Sequence, residues 1–350
     1  MVKHLDALFL AAGLERSTHR NSLPTKHFRR PERLASAASE RLLRPASAAR
    51  AAANGAIWLP VPGWGRFPWL WHGFSTRQGG LSGAYRIGDT LGELNLGFSA
   101  ADERETVLRN RQLLAEATSG DPSTPLVTVR QFHSNLVVHA RVPETAAERP
   151  LKADGLFTNE PGLLIAVLTA DCIPVLVADR RRRVVAAFHA GWRGTLKRIV
   201  EAGVGRMRLE FGSQPEDLVA AIGPGIGACC YSVGDEVLSE FESQFDYAQA
   251  LFREVFSSDP VRIKYPLLFL NQRAPGHSAP NSSLHLDLVE ANRRQLCAAG
   301  VSPSAIKVVG GCTSCQPELF FSHRASKGHT GRMMAVIGIR RPPKRESPER

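Results

Sequence analysis

Three short stretches of the chain carry residues that suit a metal ion: Gln131-Phe132-His133, Ala170-Asp171-Cys172 and Phe188-His189-Ala190-Gly191-Trp192-Arg193-Gly194. Two imidazoles and a thiolate make three protein ligands. Three ligands leave a fourth position for water or substrate, which separates a catalytic zinc site from a closed structural one. The same side chains admit a second chemistry, because a thiol beside an imidazole is activated as a nucleophile; a metal-free Cys-His hydrolase or deamidase is therefore the alternative. The plainest reading is packing, with Cys172 a small buried hydrophobe and His189 a satisfied core histidine.

Such residues act together only if the chain brings them together. An apolar run over residues 162–169 is followed by a second over 174–178, a charged turn at 179–183 and a third run over 184–188. If the last two runs pair as antiparallel strands, Cys172 and His189 meet at one edge of a sheet. Asp171 then faces away from the thiolate by strand alternation unless the chain bends, and is a candidate general base or a partner that fixes a histidine. Residues 194–211 show helical spacing with one apolar face, which places Arg193 near a positive helix end able to hold phosphate, or in a structural salt bridge. Arg77, beside Gly79-Gly80, sits where a loop with exposed amides could cradle phosphate, or where a plain tight turn leaves it solvated. Further strands are expected at 217–222, 305–309 and 333–339, a second amphipathic helix at 286–299, and an irregular excursion between Tyr247 and Ser283. Gly223-Pro224-Gly225-Ile226-Gly227 reads as a turn rather than a nucleotide loop, because of its proline and the lack of a following helical pattern.

The ordered motifs carry a resemblance. His72-Gly73-Phe74-Ser75-Thr76-Arg77-Gln78-Gly79-Gly80, Leu94-Asn95-Leu96-Gly97, Gln131-Phe132-His133, Ala153-Asp154-Gly155, Thr169-Ala170-Asp171-Cys172, His189-Ala190-Gly191-Trp192-Arg193-Gly194, Ile222-Gly223-Pro224 through Cys230-Tyr231, and Phe320-Phe321-Ser322 through Thr330-Gly331-Arg332-Met333 follow one another as in one family. The chain resembles the laccase-domain, or polyphenol-oxidase-type, proteins, also described as multifunctional purine nucleoside phosphorylases. The resemblance implies zinc held by His133, Cys172 and His189, phosphorolysis of adenosine, inosine, guanosine and methylthioadenosine, and deamination of adenosine. The older family name implies copper-dependent phenol oxidation, which ranks below these, since multicopper chemistry needs histidines in paired His-x-His patterns and the eleven here are scattered. Asp171, Arg193 and Arg77 are then the candidate catalytic residues, with purine nucleosides and phosphate as the partners. Two places depart from the family pattern: Gly225 and Ala228 stand where bulkier residues are expected, and Arg324 to His329 lacks the usual basic pair before Thr330. The implied fold is α+β, mixed β-sheets layered with helices in a single catalytic domain.

Composition fits an enzyme with ragged ends. The net charge of +11 resembles a nucleic-acid signal until it is located: residues 1–50 hold ten Lys/Arg against four Asp/Glu, and residues 340–350 hold five against two. The body is nearly neutral. A basic extension is therefore expected over 1–55, a catalytic domain over 56–340 and a basic tail over 341–350. The head is rich in Ala, Ser and Arg and poor in the residues that build a core, and no aromatic stacking pattern accompanies it, so specific nucleic-acid binding is not expected. Its scattered acids set it apart from a transit peptide, and its short apolar run from a membrane span. A cytoplasmic location follows as the expectation. Six cysteines in this length suit a reducing compartment rather than a disulfide scaffold. The pair Cys312/Cys315 has the CxxC spacing but no second CxxC, and is expected to be structural or incidental, with Cys229-Cys230 serving packing.

Overall fold

The computed structural model describes residues 49–87, 92–142, 150–256 and 282–342, all within one compact unit, Ala38–Arg350. Two six-stranded sheets form its centre. The first runs in the order β1 (Arg50–Ala51), β2 (Ile57–Leu59), β3 (Leu70–Ser75), β16 (Met333–Ile339), β8 (Leu164–Thr169) and β5 (Leu126–Thr128). The second runs β15 (Ile306–Val308), β11 (Leu218–Ile222), β9 (Ile173–Asp179), β10 (Val184–Ala190), β7 (Gly155–Thr158) and β6 (Val137–His139). A small third sheet joins β12 (Ser232–Val233), β14 (Ser282–Leu286) and β13 (Phe252–Phe256), and β4 (Gln78–Ser82) bridges to Glu93. Five α-helices are described: α1 (Arg104–Ser119), α2 (Trp192–Leu196), α3 (Ile199–Phe211), α4 (Asp235–Gln244) and α5 (Leu288–Ala298).

Strand alternation builds the layers. On β8, Ile165 and Val167 face the second sheet, where Leu176, Ala178, Val185 and Ala187 meet them, while Leu164 and Ala166 face Leu114 and Ala115 of α1. On β9 and β10, Val175, Val177, Ala186 and Phe188 turn the other way and pack on Ile199, Val200, Val204 and Met207 of α3 and Leu288, Ala291 and Leu296 of α5. Both faces of each central strand are thus covered, which is why these strands read as unbroken apolar runs. Each fully enclosed Val, Leu or Phe contributes roughly 1.5–3 kcal/mol by leaving water. The architecture is α+β.

The hairpin forms with the register that site assembly needs. β9 and β10 pair antiparallel from Val184↔Asp179 to Ala190↔Ile173. The charged turn between them is held by Asp179, whose Oδ1 accepts the backbone N–H groups of Arg181 and Arg182 at 2.8 Å each. The strand expected at 333–339 is β16, that at 217–222 is β11, that at 305–309 is β15, and the helix expected at 286–299 is α5, whose Asp287 cap accepts the Glu290 N–H at 2.9 Å.

Several expectations change. The single helix expected over 194–211 is two, because Arg198 takes a left-handed φ of 59° and breaks the path between α2 and α3. The irregular excursion expected over 247–283 has ordered ends: β13 and β14 pair from Phe252↔Leu286 to Phe256↔Ser282. Residues 257–281 lie outside the described residues, as do 1–48 of the expected extension and 343–350 of the tail. Arg50 and Ala51, assigned to the extension by composition, pair with Trp58 and Ile57 in the first sheet. Among the described residues no helix is long and apolar enough to cross a membrane.

One buried histidine gives the fold a pH dependence of its own. Burial pushes the His72 imidazole down to about 4, and its Nδ1 accepts the Val61 N–H at 3.2 Å. A histidine with a depressed folded pKa protonates first in the unfolded chain, so its contribution is complete above about 6.5 and lost as pH falls toward 4. In His72→Asn, whose amide oxygen can accept the same N–H without titrating, chemical denaturation at stepped pH should show a shallower loss of stability across that window.

Candidate metal centre and its surroundings

β10 carries His189 at its next-to-last position, opposite Pro174 of β9, and Cys172 lies just before β9 begins. Antiparallel pairing therefore brings the thiol and the imidazole to the same end of the second sheet. His133 arrives from the loop between β5 and β6 in a left-handed conformation with φ 62°. One ligand atom from each of the three falls within 4.8 Å of the others, with His133 Nε2 at 3.9 Å from Cys172 Sγ. A tetrahedral zinc with ordinary Zn–N and Zn–S bonds sets its ligands about 3.3–3.6 Å apart, so a small inward shift closes the set.

Asp154 holds this arrangement. It is fully buried, and its carboxylate accepts hydrogen bonds from the backbone N–H of Phe132 (3.2 Å), His133 (3.0 Å) and Ser134 (2.7 Å) and from Ser134 Oγ (2.7 Å). Its Oδ1 also meets His189 Nδ1 at 2.9 Å. That contact places the proton on Nδ1 and leaves Nε2 for a metal. Burial alone would raise the Asp154 carboxyl, but the hydrogen bonds from His189 and Ser134 outweigh it and hold the group well below the usual carboxylate range. Around the sulfur the same opposition operates: burial raises the Cys172 thiol, yet His189 and His133 bring it down to about 6. Burial lowers His189, whereas the Cys172 thiolate and Asp154 raise it to about 9. A pocket that favours a thiolate with a shared proton also favours a dication, which displaces that proton on binding.

Gly191 leaves room for the approach. A Cβ there would lie 2.8 Å from Cys172 Sγ and 3.1 Å from His133 Cδ2, so any side chain would push the ligands apart. Donor chemistry, spacing and this clearance all fit a single borderline-soft cation with one open position.

A family model described as multi-copper polyphenol oxidoreductase laccase matches residues 71–340. The chain belongs to this family. It is 36% identical over 274 residues to a protein named purine nucleoside phosphorylase YlmD from Geobacillus stearothermophilus, covering 77% of this chain and 89% of that one. It is 31% identical over 277 residues to the human protein named purine nucleoside phosphorylase LACC1, covering 77% of this chain and 55% of that one. Among solved structures, YlmD from Geobacillus stearothermophilus superposes with a TM-score of 0.64 at 33% identity, over 84% of this chain and 99% of that chain. A Bacillus licheniformis protein titled hypothetical protein YfiH gives a TM-score of 0.64 at 31% identity, over 83% and 99%.

Within the laccase-family chain, the three expected catalytic residues separate. Asp171 is buried with φ 95°, so the chain bends immediately before Cys172. Its Oδ1 accepts from Thr313 Oγ1 and its Oδ2 from the Arg324 N–H, both at 2.6 Å, which aims the carboxylate at two loops and not at either histidine. The role of fixing a histidine belongs instead to Asp154. Arg77 is corrected from a phosphate ligand to a structural residue. Its guanidinium is buried, bonded to Glu93 at 2.8 Å, the Pro317 carbonyl at 2.7 Å and the Tyr85 carbonyl at 2.5 Å, and it lies over the Phe321 ring. The neighbouring glycines belong to β4, where a Cβ on Gly80 would strike the Glu93 backbone; they serve close strand approach rather than anion binding.

Arg193 is exposed in the short α2, with its guanidinium 4.3 Å from the Trp192 ring centre. Half-buried Tyr231 shows which charges share its surroundings. Its phenol is raised to about 12, first by burial and then by Cys172 and Asp171, against Arg324 and Arg193. Arg324 lies 5.3 Å over the Tyr231 ring and donates to Ser232. Asp154, Tyr231 and Arg324 were not singled out from the sequence. The Ala153-Asp154-Gly155 motif was the available sign for the first, and the unusual Arg324 to His329 segment for the last. A cleft lined by Pro62, Trp64, Arg66, Val219 and Lys307 contains none of these residues.

Two substitutions separate the centre from its frame. Asp154→Asn turns an acceptor into a donor before several N–H groups and should weaken divalent-metal binding at the candidate centre about 10–100-fold in chelator competition. Arg77→Ala removes one partner of a buried ion pair and should lower unfolding stability by about 3–5 kcal/mol in denaturant titration, with the phosphate KM unchanged.

Proposed function

We propose that this chain is a zinc-dependent purine nucleoside phosphorylase acting on adenosine, inosine, guanosine and methylthioadenosine, with adenosine deamination as a second activity of the same centre. The observation that carries this reading is the convergence of His133, Cys172 and His189, with His189 Nδ1 held by Asp154. The relatives named purine nucleoside phosphorylase supply the substrate class. His133, Cys172 and His189 would hold the ion, and a bound zinc supplies Lewis acidity at its one open position.

In phosphorolysis a phosphate oxygen bonds to C1′ of the ribose while the bond from C1′ to the purine nitrogen breaks, its electron pair leaving with the base. The chain must therefore gather an anion on one side of the sugar and orient the base. Arg193 and Arg324, the two cations that act on Tyr231 beside Cys172, are suited to the anion. Tyr231 stays protonated at neutral pH and acts as a hydrogen-bond donor. Phe132, 48% exposed and next to His133, offers an aromatic face to a purine. Asp154 keeps the His133 loop and the His189 ring of β10 in place through the cycle.

A Cys-His hydrolase remains the second reading, because Cys172, His189 and Asp154 also form a thiol, imidazole and carboxylate chain. His133 favours the metal: a nucleophile needs one imidazole at its sulfur, and here two converge.

Nucleoside turnover with and without phosphate, read by product identity on metal-analysed protein, tests the assignment. The expected products are free purine and ribose 1-phosphate with phosphate present, and inosine from adenosine for the deamination. Arg193→Ala and Arg324→Ala should each raise the phosphate KM about tenfold, roughly one lost charge-assisted contact. Alkylation-sensitive turnover with no zinc bound at Cys172 would assign the hydrolase instead.

A further inference from the structure

Four cysteines outside the candidate centre gather at a second place. Cys229 and Cys230 follow β11, whereas Cys312 and Cys315 follow β15. These two strands run parallel, with Ala220↔Ile306 and Ile222↔Val308 in register, so their following loops leave the sheet at the same end. The pairing continues past the strands: Val309 N–H donates to the Ile222 carbonyl at 2.8 Å, and Thr313 N–H to the Gly225 carbonyl at 3.0 Å. A CxxC and an adjacent cysteine pair 82 residues earlier therefore meet, Cys230 being bridged to Cys312 by topology rather than by sequence spacing.

The spacing is that of a coordination shell. All four sulfurs lie within 4.8 Å of one another, and Cys315 Sγ is 3.3 Å from Cys230 Sγ and 3.5 Å from Cys229 Sγ. Zn–S bonds of ordinary length put tetrahedral sulfurs about 3.8 Å apart, whereas a disulfide needs about 2.05 Å. Gly227 N–H points at Cys312 Sγ from 3.2 Å, a donor that favours the thiolate a metal requires. A Cβ on Gly227 would come within 3.2 Å of both Cys229 Sγ and Cys312 Cβ, so glycine keeps the group compact.

We propose that Cys229, Cys230, Cys312 and Cys315 hold a structural zinc ion that clamps the loops after β11 and β15. Four thiolates close the shell, so this site has no position for substrate. Its effect reaches the candidate centre through Asp171. Thr313, between the two cysteines of the CxxC, donates to the Asp171 carboxylate at 2.6 Å, and Ile226 N–H donates to the Asp171 carbonyl at 2.7 Å. The clamp thus fixes the bend that aims Cys172.

The test uses the full chain carrying His133→Ala and Cys172→Ser, which removes two ligands of the candidate centre and leaves the four cysteines untouched. Elemental analysis after reductive purification should find about one zinc per chain, and cobalt exchange should give tetrahedral bands with strong thiolate charge transfer. Adding Cys315→Ser should abolish both. Absence of zinc from the folded double variant, iron in its place, or a mass deficit of two hydrogens from a disulfide would each overturn the clamp. Because the double variant decides, misfolding of Cys315→Ser leaves the test intact. The wild-type metal count then judges the candidate centre separately.

Discussion

A single carboxylate without solvent organises the functional end of this protein. Asp154 accepts three consecutive backbone N–H groups and a hydroxyl from the 132–134 loop and meets His189 on β10. A buried charge is costly unless its oxygens are saturated, and here saturation requires the loop to wrap around the carboxylate. That wrapping places His133 in its left-handed conformation. The electrostatic need of one side chain thereby sets the positions of two others.

The sheets supply the third candidate ligand by register. The hairpin of β9 and β10 has a short charged turn at one end, so its other end gathers Ile173 and Ala190 with Cys172 and His189 beside them. A one-residue slip would reverse every side chain and move Val175, Val177 and Phe188 out of the helix-covered layer, a cost large enough to fix the pairing. The core thus enforces the geometry of the site at its edge.

Much of this was legible in the chain itself. The apolar runs gave the central strands because both faces of each are buried, and the turn at 179–183 gave the hairpin that unites Cys172 with His189. What escaped reading was partnership across long separations. Asp154 was visible as part of a motif, but its work lies in contacts to residues about 20 and 35 positions away. Arg77 was misread because glycines that let β4 approach Glu93 resemble an anion loop, and burial of the guanidinium is invisible in sequence. The CxxC looked unpaired because its partners lie on a neighbouring parallel strand's loop, and the break at Arg198 left no trace in an apolar pattern that runs through it.

The layered core has a consequence for how such a protein changes over time. Val175, Val177, Ala186 and Phe188 spend their side chains on the helices, and Leu176, Ala178, Val185 and Ala187 on the opposing sheet, so every interior position of the hairpin is committed to packing. Phe132, Arg193 and Arg324 sit instead on exposed segments beyond it. Substitutions at these exposed positions leave the layered core intact, so the surroundings of the candidate centre can change on an unaltered chassis.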